Sequence, residues 1–196
     1  MSTVITKSYN GLPVCREEIL RYAGAKSSSP SLDALLSEAI TEAEKVLSYK
    51  VCYIETDVAV TESVADFGFF KVPSRDLAKN LSGCDRVIIF AATVGIGIDR
   101  LISKYSRISA TKALLFQAIG AERIEALCDT FTLDLKEEKN ISVRPRFSVG
   151  YGDSPLAAQK DILNLIDANR YIGITLNESM LMSPTKSVTA FIGFNK

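Results

Sequence analysis

The chain has 196 residues, of which 47% are hydrophobic and 23% charged, a balance typical of one folded domain with a sizeable core. Lysine plus arginine and aspartate plus glutamate number 23 each, so no net charge attracts nucleic acid or an anionic membrane surface. Histidine is absent, which excludes Ser-His and Cys-His catalytic pairs and any histidine-ligated metal.

The sequence carries no sign of export or of membrane insertion. Its longest apolar run, Val87–Ile98, is too short to span a bilayer, and residues 1–7 lack the basic and then apolar layout of a secretion signal. A cytoplasmic location is therefore predicted. The four cysteines are widely spaced without a C-x-x-C motif, so we expect reduced, mostly buried thiols rather than a zinc site or disulfides.

The N-terminal part of the chain predicts helices followed by strands. The predicted helices and strands are Arg16–Ala23, Leu32–Leu47, Val51–Val60 and Phe67–Val72, in that order. A flexible serine-rich connection at 27–31 separates the two helices, and Ser31 is the predicted N-cap of the second.

The middle of the chain predicts a short helix, a buried strand and a glycine turn. Ser74 opens a helix over Arg75–Leu81, and Val87–Val94 is the most apolar strand candidate and therefore the central one. The turn that follows, Gly95–Gly97, has two glycines of the nucleotide-binding G-x-G-x-x-G motif. Arg100 replaces the third glycine, so a Rossmann-type site is disfavoured.

Two further helices are predicted, over Asp99–Tyr105 and Thr111–Phe131. On a helical wheel the second has one apolar arc, the predicted core face, formed by Phe116, Gly120, Ile124, Leu127, Cys128 and Phe131. Arg123 flanks this arc, Glu122 and Asp129 lie opposite it, and Glu125 lies at its edge. From its position alone, Glu125 is most simply a boundary residue that reaches water.

The C-terminal part predicts one helix and two closing strands. Ser154 or Asp153 caps a helix that begins at Pro155. The predicted strands are Ile172–Leu176 and Ser187–Phe194. Strands thus occur in clusters separated by helices, which favours an α+β fold with an antiparallel β-sheet and flanking helices.

The segment around Arg146 has the residue types of a ligand-binding turn. The planar guanidinium of Arg146 suits a carboxylate or phosphate, and Gly150 lets the backbone approach a ligand closely. Tyr151 lies between two glycines and can form a wall over a flat group. The simpler alternative is a surface arginine beside an ordinary turn.

Other candidate sites are weaker. Glu178 and Ser179 have the types of a catalytic carboxylate and nucleophile, but no base accompanies the serine, so a polar pair at a strand end is preferred. Asp99, Asp153 and Asp161 are too far apart in sequence to favour a metal site. No catalytic residue and no metal ligand is therefore predicted.

Two ordered patterns lie in the C-terminal half of the chain. The first, R-x-x-x-G-Y with a following proline, is formed by Arg146, Gly150, Tyr151 and Pro155. The second, I-G-x-x-L-x-E-S-x-x-M-x-P-x-x-S-V, occupies residues 172–188. Both resemble the activation domain of vitamin B12-dependent methionine synthase.

The resemblance implies one such domain over residues 1–196, matched well at 86–196 and weakly at 1–85. In that family the domain binds S-adenosylmethionine in a shallow groove and presents the methyl donor to an oxidised cobalamin, which is reduced and remethylated. Cobalamin is carried by a partner protein. The domain is thus a component of methionine synthase (methyltransferase) activity, in methionine biosynthesis, rather than a complete enzyme.

The resemblance also implies which residues contact the ligand. Arg146 is expected to meet the ligand carboxylate and Glu125 its amino group. Ser148 is expected to contribute backbone contacts, while Gly150 and Tyr151 shape the wall of the groove. A zwitterionic amino acid end calls for one cation and one anion, which agrees with these assignments.

No part of the chain resembles the folate, homocysteine or cobalamin modules of methionine synthase. A stand-alone reactivation partner is therefore expected, acting on a corrinoid methionine synthase or related methyltransferase that lacks its own activation domain.

Three departures from the family pattern define an alternative. Asp153-Ser154 replaces the usual Ala-Cys before Pro155, the chain ends at Lys196 before an aromatic ligand contact, and the segment 9–14 has no acidic residue. The alternative is a non-catalytic docking module for a corrinoid protein that has lost S-adenosylmethionine binding.

Overall fold

The computed structural model describes residues 3–25, 27 and 29–195; Ser28, within the predicted serine-rich connection, and Lys196 lie outside the described residues. The strands are β1 (Ile5–Tyr9), β2 (Tyr49–Asp57), β3 (Ala59–Val60), β4 (Val64–Asp66), β5 (Lys71–Pro73), β6 (Arg86–Thr93), β7 (Thr175–Leu176), β8 (Met182–Ser183) and β9 (Ser187–Phe194). The helices are α1 (Arg16–Tyr22), α2 (Pro30–Glu44), α3 (Arg75–Asn80), α4 (Gly97–Ser106), α5 (Ala110–Lys139), α6 (Ala158–Leu165) and α7 (Ala168–Ile172).

A four-stranded antiparallel sheet in the order β1-β2-β6-β9 organises the chain. Strand β6 is interior, as predicted, and both of its faces are buried. Ile88, Phe90 and Ala92 belong to one core cluster, which includes residues of α1, α2, α4 and α5. Val87, Ile89 and Ala91 belong to the other, which includes residues of α3, α6 and α7. The predicted α+β fold with an antiparallel sheet and flanking helices is confirmed.

The long helix α5 packs its apolar arc on the sheet. The ring of Phe131 lies 5.1 Å from that of Tyr53 and 5.0 Å from that of Phe90, and the predicted core face is buried. The helix continues two turns past its predicted end because Leu135 extends the buried arc. It ends at Asn140, whose φ of 51° is left-handed.

Several predicted boundaries in the N-terminal half are wrong. Ser29, not Ser31, caps α2: its hydroxyl accepts a hydrogen bond from the Leu32 amide at 3.3 Å. Of the predicted strand Phe67–Val72, only the last two residues are in a strand, β5; the first four form the turn of the hairpin that joins β4 to β5. Gly68 forms that turn with a φ of +78° and donates its amide to Asp66. Strand β1 was not predicted; each of its residues is exposed or half-buried, and its sequence, ITKSY, has no clear apolar pattern.

Two predictions in the C-terminal half also need correction. Helix α6 begins at Ala158, and neither Ser154 nor Asp153 caps it. The predicted strand Ile172–Leu176 is shorter, because Ile172 ends α7 and only the last two residues pair with β8. The predicted closing strand, β9, is confirmed.

The Gly95–Gly97 turn serves packing. A side chain on Gly97 would overlap the backbone carbonyl of Val46, and one on Gly95 would overlap the Ser48 side chain. Gly95 also has a φ of +82°. The two glycines therefore allow the end of β6 to pass close to the end of α2, which explains them without a phosphate.

A buried ion pair joins the N-terminal segment to α5, contrary to the prediction that Glu122 lies opposite the core. Arg123 is fully buried and Glu122 is 5% exposed. Arg123 Nε and Nη2 each donate to the Glu122 carboxylate at 2.5 Å, and its Nη atoms also donate to the carbonyls of Leu12 and Pro13. Glu122 in turn accepts the Cys15 amide at 3.0 Å. This pair fixes the segment before α1 against α5.

Candidate ligand-binding groove

The segment that carries Arg146 lies along the free edge of β9. Arg144 donates its amide to the Gly193 carbonyl at 2.7 Å. Phe147 exchanges two backbone hydrogen bonds with Phe191, at 2.8 and 3.0 Å. These bonds extend the sheet locally, and they place the Arg146 side chain beside the C-terminal half of α5.

Arg146 pairs with two carboxylates one turn apart on α5. Its Nη2 donates to Glu125 Oε2 at 3.0 Å, and its Nη1 donates to Asp129 Oδ1 at 2.5 Å. The Arg146 side chain is 22% exposed, whereas those of Glu125 and Asp129 are 49% and 68% exposed. Burial by itself lowers the pKa of Arg146, but the hydrogen bond to Asp129 and the nearby negative charges raise it above its usual range.

A tight turn follows Arg146 and presents Tyr151 to solvent. The amide of Gly150 donates to the Ser154 carbonyl at 3.1 Å, and Gly150 has a φ of +86°, which favours glycine. Val149 is buried and packs the turn against the core, whereas Tyr151 is 70% exposed. The tyrosine ring is therefore free to cover a ligand, at the edge of the groove.

Asp153 explains one departure from the family pattern. Its carboxylate accepts hydrogen bonds from the Ser74 hydroxyl at 2.5 Å and from the Arg75 and Asp76 amides at 2.8 and 3.2 Å. Asp153 thus caps α3, not α6, together with Ser74, whose hydroxyl accepts the Leu77 amide. These hydrogen bonds lower the pKa of Asp153 below its usual range, and they hold the Tyr151 turn to α3.

An open cavity of about 880 Å³ lies between α5, the Arg146 segment, β8 and the start of β9. Of the residues that the sequence assigns to the ligand, Glu125, Arg146, Ser148 and Tyr151 line it. Gly150 is not among the lining residues; a Cβ at this position would lie only 3.1 Å from the Leu156 side chain, so glycine allows the turn to pack there. The predicted residues are therefore neighbours in space, as expected of one site.

The walls of the cavity combine apolar and hydroxyl groups with charges at one end. Apolar surface comes from Val143, Phe147, Val149, Met182 and Val188, and hydroxyl groups from Thr132, Ser187 and Thr189. The cluster Arg146–Glu125–Asp129 supplies charges of both signs. Such a groove can hold a ligand with a zwitterionic end and a flat, partly polar body.

Sequence reasoning missed several lining residues of α5. Asp129 was placed opposite the core, yet it pairs with Arg146; Thr132 and Lys136 also line the cavity. Successive steps of four, three and four residues, from Glu125 to Asp129, Thr132 and Lys136, put all four on one face of a helix. That periodicity was readable once Glu125 was taken as a ligand contact.

The weaker candidates do not form sites. Glu178 and Ser179 are exposed in the turn between β7 and β8, where the Ser179 amide donates to Asn177 Oδ1 at 2.9 Å. Gln159 donates to the Met180 carbonyl at 3.0 Å and so ties this hairpin to the groove. Asp99 instead accepts hydrogen bonds from Thr185, in the connection between β8 and β9.

Residues 3–25, 27 and 29–195 contain neither a metal-binding cluster nor a membrane-spanning helix. No group of three or more acidic or thiol side chains in these ranges is arranged to bind a metal, and none of their helices is long and apolar enough to cross a membrane. All four cysteines are free thiols: Cys52 and Cys128 are buried, Cys84 is half-buried and Cys15 is exposed. Burial raises the pKa of both Cys52 and Cys128 to about 12.

The sheet, the long helix and the charged groove define an α+β domain with an open ligand-sized cavity at the edge of its sheet. The family model described as vitamin B12 dependent methionine synthase, activation domain, matches residues 74–196. The chain belongs to this family, which confirms the resemblance read from the sequence.

A solved structure shares the fold. It is described as the crystal structure of the MetH reactivation domain bound to AdoHcy, and it matches with a TM-score of 0.71. The match covers 98% of this chain and 78% of that chain at 13% sequence identity, so it shows the fold alone. No curated protein gives a significant sequence match.

Proposed function

We propose that this chain binds S-adenosylmethionine in the groove and supports the reductive methylation of an oxidised cobalamin. The cobalamin is carried by a partner, a corrinoid methionine synthase or related methyltransferase that lacks its own activation domain. In this role, residues 1–196 form a single domain that acts in the cytoplasm as a stand-alone reactivation partner. The chain belongs to the activation domain family, which supports this role.

One observation carries the ligand assignment: Arg146 and Glu125 are in contact at 3.0 Å on the wall of a cavity of about 880 Å³. Arg146 binds the ligand carboxylate through its planar fork, and Glu125 accepts the ammonium group. The backbone of Ser148 adds hydrogen bonds to the ligand, Gly150 lets the turn approach the ligand closely, and the ring of Tyr151 covers it. That the fold neighbour is a complex with AdoHcy supports a ligand of this class.

The reaction requires this chain only to hold the methyl donor in position. In the proposed reaction the methyl group would leave the sulfonium sulfur, with S-adenosylhomocysteine as the leaving group; the partner's cobalamin would supply the cobalt acceptor, and an external donor would supply the one electron that reduces it. No proton is moved, so no general acid or base is needed, in keeping with the absence of histidine. Positioning of the methyl group accounts for the contribution of the groove.

The test combines binding with reactivation. Isothermal titration calorimetry with S-adenosylmethionine, alone and with the corrinoid partner, should show binding to the wild type and a large loss in Arg146→Ala. Arg170→Ala, which removes an exposed arginine stacked on Tyr171 outside the groove, is the matched control and should bind normally. The absence of ligand binding to the wild type in both settings contradicts the proposal.

A docking module without ligand is the second candidate. It is favoured by the pairing of Arg146, which engages two carboxylates of α5, and by the segment 9–14, which offers Arg123 two carbonyl groups and contributes no acid. The same variant separates the candidates. If Arg146→Ala abolishes reactivation while docking persists, the ligand-binding function is supported. If the variant changes neither reactivation nor docking, the docking module is supported.

A further inference from the structure

The charges around Arg146 do not match a simple zwitterion. Arg146 contributes one positive charge, while Glu125 and Asp129 contribute two negative charges, so the cluster carries a net charge of about −1. A ligand with one carboxylate and one ammonium group leaves that charge uncompensated. A ligand with a second positive group balances it.

The other cations that line the cavity do not cancel this charge. Arg144 directs its Nη2 to the carbonyl of Ser82, at 2.9 Å. Lys136 lies seven residues beyond Asp129 on α5, a rise of about 10 Å, which exceeds the Debye length of about 8 Å at physiological ionic strength. The excess negative charge is therefore local to the Glu125–Asp129 turn of the helix.

The two carboxylates of the cluster are far enough apart to contact two different positive groups of one ligand. Residues i and i+4 of a helix have Cβ atoms about 5–6 Å apart, so Glu125 and Asp129 can each face a different cation. In S-adenosylmethionine, a short carbon chain separates the ammonium group from the sulfonium sulfur. With Glu125 on the ammonium group, Asp129 is the carboxylate left to face the sulfonium. Its side chain is 68% exposed and lines the cavity, so a ligand can reach it.

We infer that Asp129 is a specificity-determining residue, which recognises the sulfonium charge and so distinguishes the methyl donor from S-adenosylhomocysteine. This inference rests on the proposed function, because it concerns the same groove. Transfer of the methyl group converts the sulfonium to a neutral thioether, and the attraction to Asp129 is then lost. The groove therefore prefers the donor to the product, which favours exchange after each transfer.

The inference is tested by the ratio of two dissociation constants, measured by calorimetry for S-adenosylmethionine and S-adenosylhomocysteine. The wild type should bind the donor more tightly than the product. In Asp129→Asn the affinity for the donor should fall roughly fivefold, the effect of unit charges about 4 Å apart in water, while the affinity for the product stays constant. Higher salt should reduce the preference of the wild type, because the site is open to solvent.

Glu137→Gln is the control, since it removes one negative charge from an exposed position of α5 outside the cavity. It should leave both constants unchanged. If both ligands bind with a ratio that Asp129→Asn does not alter, the inference is wrong while the proposed function stands. Tighter binding of both ligands to Asp129→Asn also overturns it, and would make Asp129 a competitor for Arg146. If neither ligand binds the wild type, the proposed function fails as well.

Discussion

Helix α5 carries two arginine–carboxylate clusters that use the same chemistry in opposite ways. In one, Arg123 and Glu122 are buried, and the arginine nitrogens are satisfied by that carboxylate and by backbone carbonyls. In the other, Arg146 reaches α5 from a separate segment and contacts two carboxylates that are about half or more exposed.

The difference shows that access to solvent, more than residue type, separates a structural ion pair from a candidate binding site. A buried pair has no room for a ligand, and breaking it leaves an unpaired charge in the core. An exposed pair is weak, because water competes for both partners, so a ligand can replace one of them at little cost. The two clusters thus make opposite predictions for stability and for binding.

The largest effect is expected from Arg123→Met. It leaves Glu122 buried without its cation, so the free energy of unfolding should fall by about 3–5 kcal/mol. Urea denaturation measures this loss. The double variant Arg123→Met/Glu122→Gln should recover part of it, because the unpaired charge is removed. A loss below about 1 kcal/mol would mean that the two clusters do not differ as described.

Arg146→Ala should show the reverse pattern. Loss of charged hydrogen bonds to the ligand should weaken S-adenosylmethionine binding roughly 10- to 100-fold, as expected for about 1.5–3 kcal/mol. The free energy of unfolding should change by less than about 1 kcal/mol, since the partners are exposed. Calorimetry and urea denaturation of the same preparation check both values. A stability loss comparable to that of Arg123→Met would contradict the comparison.

Ser74→Ala tests the support beneath the groove. The Ser74 hydroxyl is buried, caps α3 and donates to Asp153, so its loss should lower the free energy of unfolding by about 1 kcal/mol. Thermal denaturation measures the change. Ser29→Ala removes the exposed and longer cap of α2, and should cost less. An equal cost for both would show that the link to Asp153 adds nothing.

The smallest effect is the pH dependence of Asp153. Hydrogen bonds in the folded state lower the pKa of its carboxyl group, so its contribution to stability is full above the unfolded pKa of about 4. It is lost as the pH falls through the lower folded pKa. The difference in melting temperature between the wild type and Asp153→Ala should therefore shrink in acid. A difference that does not vary with pH would exclude this role.

Hydrogen exchange should show that the effect of Asp153→Ala is confined to the turn that follows Arg146. In Asp153→Ala the amides of residues 148–152 should exchange faster, because the turn loses its attachment to α3. The amides of residues 12–15, which lie at the buried Arg123 cluster, should not change.

Much of the fold was predictable because local pattern and tertiary environment agree. Strand β6 is apolar on both faces, and both faces are buried; the apolar arc of α5 lies on the sheet. Where the local pattern and the tertiary environment disagree, the predicted position of the residue was wrong. Glu122 and Arg123 look like surface residues on a wheel, yet a distant segment covers them. Asp153 looks like the cap of the next helix, yet it caps one that precedes it by almost eighty residues.

The sequence by itself determined the α+β class, the core face of the long helix, the lack of histidine chemistry and the resemblance to the activation domain family. These follow from composition, periodicity and ordered motifs, which are local properties of the chain. Only the tertiary structure decided that Asp129 joins Glu125 beside Arg146, and that Arg123 is buried. Contacts between residues far apart in sequence depend on how the sheet edge packs against the helix. A local sequence pattern contains no information about that packing.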